Sequence, residues 1–529
     1  MVEWVEICYK EISAQLVVNG CLSPRFSVSR SVRQGCPLSP ILFALYLEPL
    51  CRAIIDNVLI SGLRAPHQEV KLVAYADDVT VICSSKEQVK VALAIVEAFC
   101  DASGARLNIN KSKGAWIGDW EEKPTQYLET QWSSEVGRYL GVSLDWETAD
   151  TAKWEPKINA LQAKLKPYQG RKLSLISRSY VCNTVLFPVI LYPAQATPID
   201  ATTVHRFERT CAVFLWQSKF ERMRRTNIFW PLQEGGLGVV NLEIKIKVLR
   251  FIYFRDEARP QLRTAIQTLG THHLLQWIVS TKGGVPNTRV LGFYREIQKS
   301  ITFFCEKFSW DYLSKVKKKK LYWDTVSSSF PPPLYRRSYN ETPGEHGQDV
   351  LRRVRRLPIP TSTNDFFVRF HVEVVPVQQW LLGKGFDVPR AGMCLVCGQE
   401  ETLRHALFDC RSAVLFWSDL RATLELSIDF SYEELKFLFF PRARFPELVS
   451  VVDAAGLHAL WKSRTVRVKC DVRALSPVAY LKSKLMWTLS LVGQNRLREE
   501  PEWKRLATVI ENMDPKTFGC VIRRRYRAT

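Results

Sequence analysis

The sequence predicts an α+β fold: an antiparallel sheet with packed helices first, then a mostly helical remainder. Three observations predict it. Leu72–Tyr75 and Val79–Ile82 are apolar runs rich in β-branched and aromatic residues, and they flank Asp77-Asp78. That pattern reads as a β-hairpin with two carboxylates at its tip. Apolar residues at helical spacing then follow Ser84 and Ser85 as far as Gly104. Residues 151–250 alternate apolar and basic positions at the same spacing.

The early elements follow in order. Trp4, Val5, Cys8 and Tyr9 share helical spacing, and Ala14–Val18 reads as a strand turning at Asn19-Gly20. Phe26 and Val28 alternate toward a turn at Arg33-Gln34-Gly35. Ser39 is an N-cap candidate with Pro40 at the first helical position, where its missing N–H costs nothing. Ile41, Leu42, Leu45 and Tyr46 then form an apolar face, and Pro49 should kink or end that helix. After the hairpin, Ser84 or Ser85 caps a helix with the stripe Val89, Ala92, Leu93, Val96, Phe99 and Cys100, closed by Gly104.

In the second stretch Trp154, Ile158, Leu161 and Leu165 form one stripe, with Lys153, Lys157, Lys164 and Lys166 on other faces. Residues 251–310 read as helical and carry no recognisable chemistry. Lys317–Lys320 and Arg352–Arg356 are basic runs around Ser327–Pro333, a composition that reads as a linker. Such runs suit RNA contact, nuclear import or plain solvation. Residues 411–529 read as a helical extension, in which Leu457, Leu460 and Trp461 precede Arg464, Arg467 and Lys469. Its end, Arg523–Arg527, is basic and expected to fray.

Composition narrows the function. A chain of 529 residues has room for two to four domains. Its 46% hydrophobic and 24% charged residues are ordinary for a globular protein. No apolar run is long enough for a bilayer span, and the first residues lack the basic segment of a signal peptide. An intracellular protein is expected, cytoplasmic and able to enter the nucleus, with no membrane partner. The 14 cysteines are scattered, so only a tightly spaced set would bind metal. Charge is uneven: residues 1–145 hold 14 Lys/Arg against 17 Asp/Glu, whereas residues 146–529 hold 60 against 36. A mildly acidic region beside a strongly basic one suits a polyanion held by flanking domains.

Adjacent carboxylates repel unless a cation or hydrogen bonds neutralise them. Mg²⁺ prefers carboxylate oxygens and keeps water and phosphate as its other ligands, and a two-metal site clamps both oxygens of a phosphoryl transfer. Taken alone, Asp77-Asp78 fits an ordinary acidic turn as well. Upstream, Ser31–Pro40 adds Arg33, a phosphate fork; Gln34, both donor and acceptor; and Gly35, which permits close backbone approach. A tight strand-to-helix turn without a ligand would use the same residues.

Together, Ser31–Pro40 and Ala74-Tyr75-Ala76-Asp77-Asp78, in that order and spacing, closely resemble the palm of reverse transcriptases, specifically those of non-LTR (LINE-type) retrotransposons. The resemblance implies Mg²⁺ or Mn²⁺ at Asp77 and Asp78. It implies contact of Arg33, Gln34, Gly35 and Tyr75 with template and incoming nucleotide. Leu107–Ser112 resembles the next motif of the family, whose lysine lies near the nucleotide phosphates as a general acid. That role falls on Lys111, with Lys113 two residues away. Tyr139–Leu144 resembles the strand pair that grips the primer end, through Leu140 and Gly141. Residues 149–250 fit a helical thumb beside a duplex, and Ile228–Gly238 resembles the segment after the thumb.

A second signal is Cys394-x2-Cys397-x7-His405-x4-Cys410. Three thiolates and an imidazole suit tetrahedral Zn²⁺ in a closed structural site. Gly398–His405 and Trp417 extend a resemblance to the zinc-binding region that follows the reverse transcriptase in LINE-type proteins. The implied partners are template RNA, an RNA–DNA hybrid and target DNA.

The resulting division is a palm lacking its N-terminal part and fingers (1–148), thumb and post-thumb (149–250), a helical connector (251–324), a basic linker (325–360), a zinc module (361–425) and a basic helical extension (426–529). The family also places a further metal-binding Asp on a strand upstream of the first helix here. Glu3, Glu6 and Glu11 on that helix are poorly placed to substitute. The expectation is a truncated polymerase, weak or inactive alone, or a non-catalytic nucleic-acid-binding remnant.

Overall fold

A computed structural model describes residues 2–28, 32, 35–65, 68–118, 120–134, 138–143, 151–257, 292–332, 350–388, 392–424, 431–440, 443, 445–470, 476–492 and 500–513. Among the described residues helices dominate, with small, mostly two-stranded ladders confined to the first 143 positions, so the class is α+β. Two compact units result: Met1–Asp145 with Asp256–Arg289, and Trp146–Arg255 with Val290–Thr529.

In the first unit, Val2–Tyr9 is helical and Val17–Val18 pairs with Cys21–Leu22. Asn19 (φ +51°) and Gly20 (φ +84°) make the turn, the two left-handed residues a tight hairpin requires. The Ser39–Ile55 and Lys86–Ser103 helices pack on the hairpin of Leu72–Tyr75 and Asp78–Val81. Leu50, Ile54, Ile60 and Ala92 form the core there, with Leu72, Val81, Val96 and Phe99 against them. The second helix starts and stops as its sequence indicates. Ser85 accepts from the Gln88 amide, and Gly104 (φ +72°) ends it.

The first of these helices departs from expectation. Leu38 is its N-cap, while Ser39 lies inside and its hydroxyl meets Tyr9 Oη at 2.9 Å. Pro49 does not stop it; the helix runs on to Ile55. The expected apolar face is the wrong one: Ile41 and Leu45 are 59% and 58% exposed, and Leu50, Cys51 and Ile54 are buried. Glu11 lies beyond the first helix, with φ +52°.

Lys113–Ala115, Gln126–Tyr127 and Thr130–Ser133 form a three-stranded sheet, from which Tyr127 Oη donates to Lys86 O at 3.1 Å. Trp116 and Trp132 stack there with ring centroids 4.2 Å apart. Gly114 is required at that point, since a Cβ would lie 2.1 Å from the Trp132 ring.

The second unit is helical apart from one isolated bridge, Met393 with Glu400, among the described residues. Trp154, Ile158, Leu161 and Leu165 are all buried, as their spacing requires. Side-chain caps recur: Ser174 on the Ser177 amide, Asp200 on Thr203 and Asn241 on Ile244. Arg250, 1% exposed, pairs with Glu296 at 2.6 Å and donates to Ala194 O and Thr197 O. The stretch read as a linker is helical at both ends, over Lys318–Ser329 and Val350–Arg356. Val350, Leu351 and Val354 are buried, and Arg353 donates to Phe437 O at 2.8 Å. Residues 333–349 and the basic terminus Arg523–Arg527 lie outside the described residues.

Candidate polymerase and metal sites

The hairpin register places the acids. Leu72 faces Val81, Val73 faces Thr80, Ala74 faces Val79 and Tyr75 faces Asp78. Opposite residues share a face, and faces alternate along a strand. Leu72 and Val81 meet the core, so Val73, Tyr75, Asp78 and Thr80 project from the other side. All four are exposed there, Tyr75 by 66%. Ala76 and Asp77 form the two-residue turn, with Ala76 at φ +52°. A non-glycine residue in that region stores about 1–3 kcal/mol of strain. Lys71 anchors the hairpin base by donating to Ile55 O (3.0 Å) and Asn57 O (2.9 Å). Among the described residues neither carboxylate has a hydrogen-bond or ion-pair partner, and both are exposed. The tip therefore presents two uncompensated negative charges on a fixed base.

The other expected residues fall as follows. Arg33 and Gln34 lie outside the described residues. Gly35 is exposed at φ +85°, a conformation that favours glycine. Lys111 ends a short 3-10 turn whose Asn108 side chain accepts from the Lys111 amide at 3.2 Å; the Lys111 side chain is exposed. Leu140 (φ +46°) and Gly141 (φ +79°) turn a hairpin in which Tyr139 pairs with Val142. That reading as a strand pair could be made from the sequence; the left-handed leucine could not.

The cysteine–histidine set converges. The four ligand atoms of Cys394, Cys397, His405 and Cys410 lie within 4.8 Å of one another. Among the described residues no other group of three or more His, Cys, Asp or Glu side chains does so, and no third carboxylate gathers with Asp77 and Asp78. Cys394 Sγ and Cys410 Sγ are 3.9 Å apart, and Cys397 Sγ is 3.1 Å from His405 Nε2. Zn–S bonds of about 2.3 Å in a tetrahedron put sulfurs about 3.8 Å apart, so the donor set fits Zn²⁺.

Local structure builds this set. The Cys394 amide donates to Gln399 O at 2.7 Å and the Gly398 amide to Cys394 O at 2.9 Å, closing a knuckle around Cys397. His405 opens a wide turn, and the Cys410 amide returns to His405 O at 2.8 Å. Trp417, buried on the next helix, pins that turn through Nε1 to Leu407 O at 2.9 Å. The Cys410 thiol is lowered to about 6, first by its contact with Cys394, whose own thiol is raised to about 12 by the same contact.

Sequence reasoning missed Glu401. Its buried carboxylate pairs with Arg464 on the Pro446–Cys470 helix and accepts from the Gln378 amide at 3.0 Å, tying the knuckle to two helices. The only available signal was a charged residue inside the Cys–His segment.

Comparison with known proteins shows what the first part of the chain is similar to. Residues 2–144 match the family described as reverse transcriptase (RNA-dependent DNA polymerase). Residues 2–144 are thus similar to reverse transcriptases, and the similar proteins are those of non-LTR retrotransposons. The chain is 28% identical over 254 residues to a transposon TX1 uncharacterized 149 kDa protein of Xenopus laevis, covering 47% of this chain and 19% of that one. It is 24% identical over 268 residues to the Pol polyprotein of the type-2 retrotransposable element R2DM of Drosophila melanogaster, covering 47% and 24%. A Pol polyprotein from a type-1 element R2 of Popillia japonica is 25% identical over 298 residues, covering 52% and 40%. The matched stretches thus span about a fifth to two fifths of these relatives. The reverse-transcriptase match ends before the Cys–His cluster, so the zinc assignment rests on the ligand geometry.

Proposed function

We propose that the chain is the polymerase-bearing part of a non-LTR retrotransposon protein and works as an RNA-directed DNA polymerase. The observation that carries this is the exposed, unpartnered Asp77-Asp78 tip inside a segment that matches reverse transcriptases. Asp77 and Asp78 would hold Mg²⁺ or Mn²⁺ beside the primer end, where the ion neutralises charge on the phosphates. Tyr75, on the same face as Asp78, Gly35, Arg33 and Gln34 would contact template and nucleotide. Lys111 would supply a cation or proton to the leaving phosphates, and the Leu140-Gly141 hairpin would hold the primer. Residues 149–250 form the thumb in this reading. The Cys394, Cys397, His405, Cys410 module would bind structural Zn²⁺ and shape a surface for RNA or target DNA.

A second reading, a non-catalytic nucleic-acid-binding protein, is favoured by one observation: no third carboxylate joins the pair among the described residues. Two carboxylates alone hold Mg²⁺ weakly. Primer extension and hybrid binding, measured together on wild type and Asp77→Asn, separate the readings. Synthesis lost in the variant supports the polymerase. Salt-sensitive binding of an RNA–DNA hybrid without synthesis supports the second reading. Absence of both refutes each.

A further inference from the structure

One cluster of cations in the second unit has too few acids to balance it. It draws on five segments: the Leu175–Val181, Thr361–His371, Pro446–Cys470 and Pro477–Val492 helices, and the loop after Ala201–Trp216. Arg178 pairs with Asp365 at 3.0 Å, and Asp365 also accepts from the Leu175 amide, which fastens the first two helices together. His458 Nδ1 meets Thr363 Oγ1 at 3.0 Å, and its ring stacks on Phe366 with centroids 5.1 Å apart, which fastens the third.

Around this knot lie Arg369, one turn beyond Asp365; Lys462, one turn beyond His458; Lys484 on the fourth helix; and Arg222 on the loop. The side chains of Arg222, Lys462 and Lys484 have no hydrogen-bond or ion-pair partner among the described residues, and the Arg369 side chain donates only to a backbone oxygen, Asp365 O. The cluster counts five cations against one carboxylate, a net of +4.

Burial is the main cause of depressed proton affinity in these groups, and neighbouring cations add to it. Lys484 is lowered to about 8 by burial and by Lys462. His458 is lowered to about 2 by burial and then by Lys484, Arg369 and Lys462, with no acid opposing them. Arg369 is lowered by burial and by Arg222 and Arg178, against Asp365 alone. Arg222, Arg369 and Lys484 are half-buried, which is costly for cations without acidic partners unless an anion completes them.

A further feature selects the anion. Trp487 lies three residues beyond Lys484 on the same helix face and is 57% exposed; Tyr480 lies one turn before. Cations that track a backbone, beside an open aromatic face, are what single-stranded nucleic acid requires.

We propose that Arg222, Arg369, Lys462 and Lys484 form a phosphate-binding site for a single RNA strand, with Trp487 as the stacking platform for a base. This rests on the nucleic-acid reading above and adds the residues that carry it. The site joins the thumb region to the C-terminal helices within one unit, so strand binding would couple the two.

The test is fluorescence anisotropy of an unstructured 16-nucleotide RNA, about the upper site size for such surfaces, with the full chain over a range of salt. Lys462 is exposed, so Lys462→Gln leaves the fold intact and lowers the salt slope by about 0.7. Arg222→Gln, Lys462→Gln and Lys484→Gln together lower it by about 2 and weaken binding about 100-fold at 0.1 M salt. Trp487→Ala weakens binding about tenfold and leaves the slope unchanged. Unchanged slopes in both the single and triple variants, with wild type binding RNA, overturn the site but not the polymerase reading. Wild type that binds no RNA overturns both. Loss of binding to phosphatidylserine vesicles in the triple variant, with RNA binding retained, assigns the cluster to a membrane surface and refutes the proposal.

Discussion

Removing one zinc ligand gives a worked prediction. In Cys410→Ala the cluster loses one of its four converging donors. The three remaining donors are Cys394, Cys397 and His405. A four-ligand structural site contributes about 10–16 kcal/mol on binding Zn²⁺. An equal share per ligand is about 3 kcal/mol, and each 1.4 kcal/mol is about tenfold in affinity. Zinc affinity should therefore fall by about two orders of magnitude. Competition against a chromophoric chelator measures this, with metal content by mass spectrometry giving one zinc per wild-type chain. Cys305→Ser, at an exposed cysteine outside the cluster, is the control and should change nothing. A wild-type chain without bound zinc, or an unaltered affinity in Cys410→Ala, would refute the reasoning.

Three further predictions concern buried charge. Glu296→Ala strands the Arg250 guanidinium in the core and should cost about 3–5 kcal/mol by urea denaturation, with Glu296→Gln costing less. Asp453 is fully buried, neither of its carboxylate oxygens has a hydrogen-bond partner, and burial raises its pKa well above 3.8. With the folded pKa raised, stability is full below about pH 4 and falls as pH rises toward the folded value. Asp453→Asn should then stabilise the chain by about 1–3 kcal/mol at pH 7 and add nothing at pH 4, read from melting curves at both. His371 is buried, with Nδ1 at 2.8 Å from Lys436 O, and burial lowers its pKa from 6.5 to about 4. With the folded pKa depressed, the unfolded chain binds the extra proton between pH 6.5 and 4. Stability should fall by about 3 kcal/mol across that window, and His371→Gln should flatten the profile.

Much of this was legible where information is local. The strand pair around Asp77-Asp78 follows from the two apolar, β-branched runs that flank the acids, and the Lys86–Ser103 helix from Ser85 and Gly104 at its ends. The buried stripe of Trp154, Ile158, Leu161 and Leu165 follows from the helical period. The zinc set was legible because its ligands fall within seventeen residues, Cys394 to Cys410.

What failed depends on partners distant in sequence. Ile41, Leu42, Leu45 and Tyr46 looked like the core face of their helix, but the hairpin and the Lys86–Ser103 helix pack on Leu50 and Ile54 instead. Pro49 lies inside the helix, which runs on to Ile55 rather than ending there. The stretch around Arg352–Arg356 read as a linker, yet Val350–Arg356 is a helix with Val350, Leu351 and Val354 buried, while Arg352, Arg355 and Arg356 stay exposed. Arg250 with Glu296, and Arg464 with Glu401, are separated by 46 and 63 residues, and no local pattern announces them.

Divalent-metal binding at the hairpin tip tests the account most directly. Mn²⁺ bound to the full chain with a template–primer hybrid can be followed by electron paramagnetic resonance. Bound Mn²⁺ in wild type that is released in Asp77→Asn/Asp78→Asn is the predicted result. The same bound signal in the double variant would contradict it.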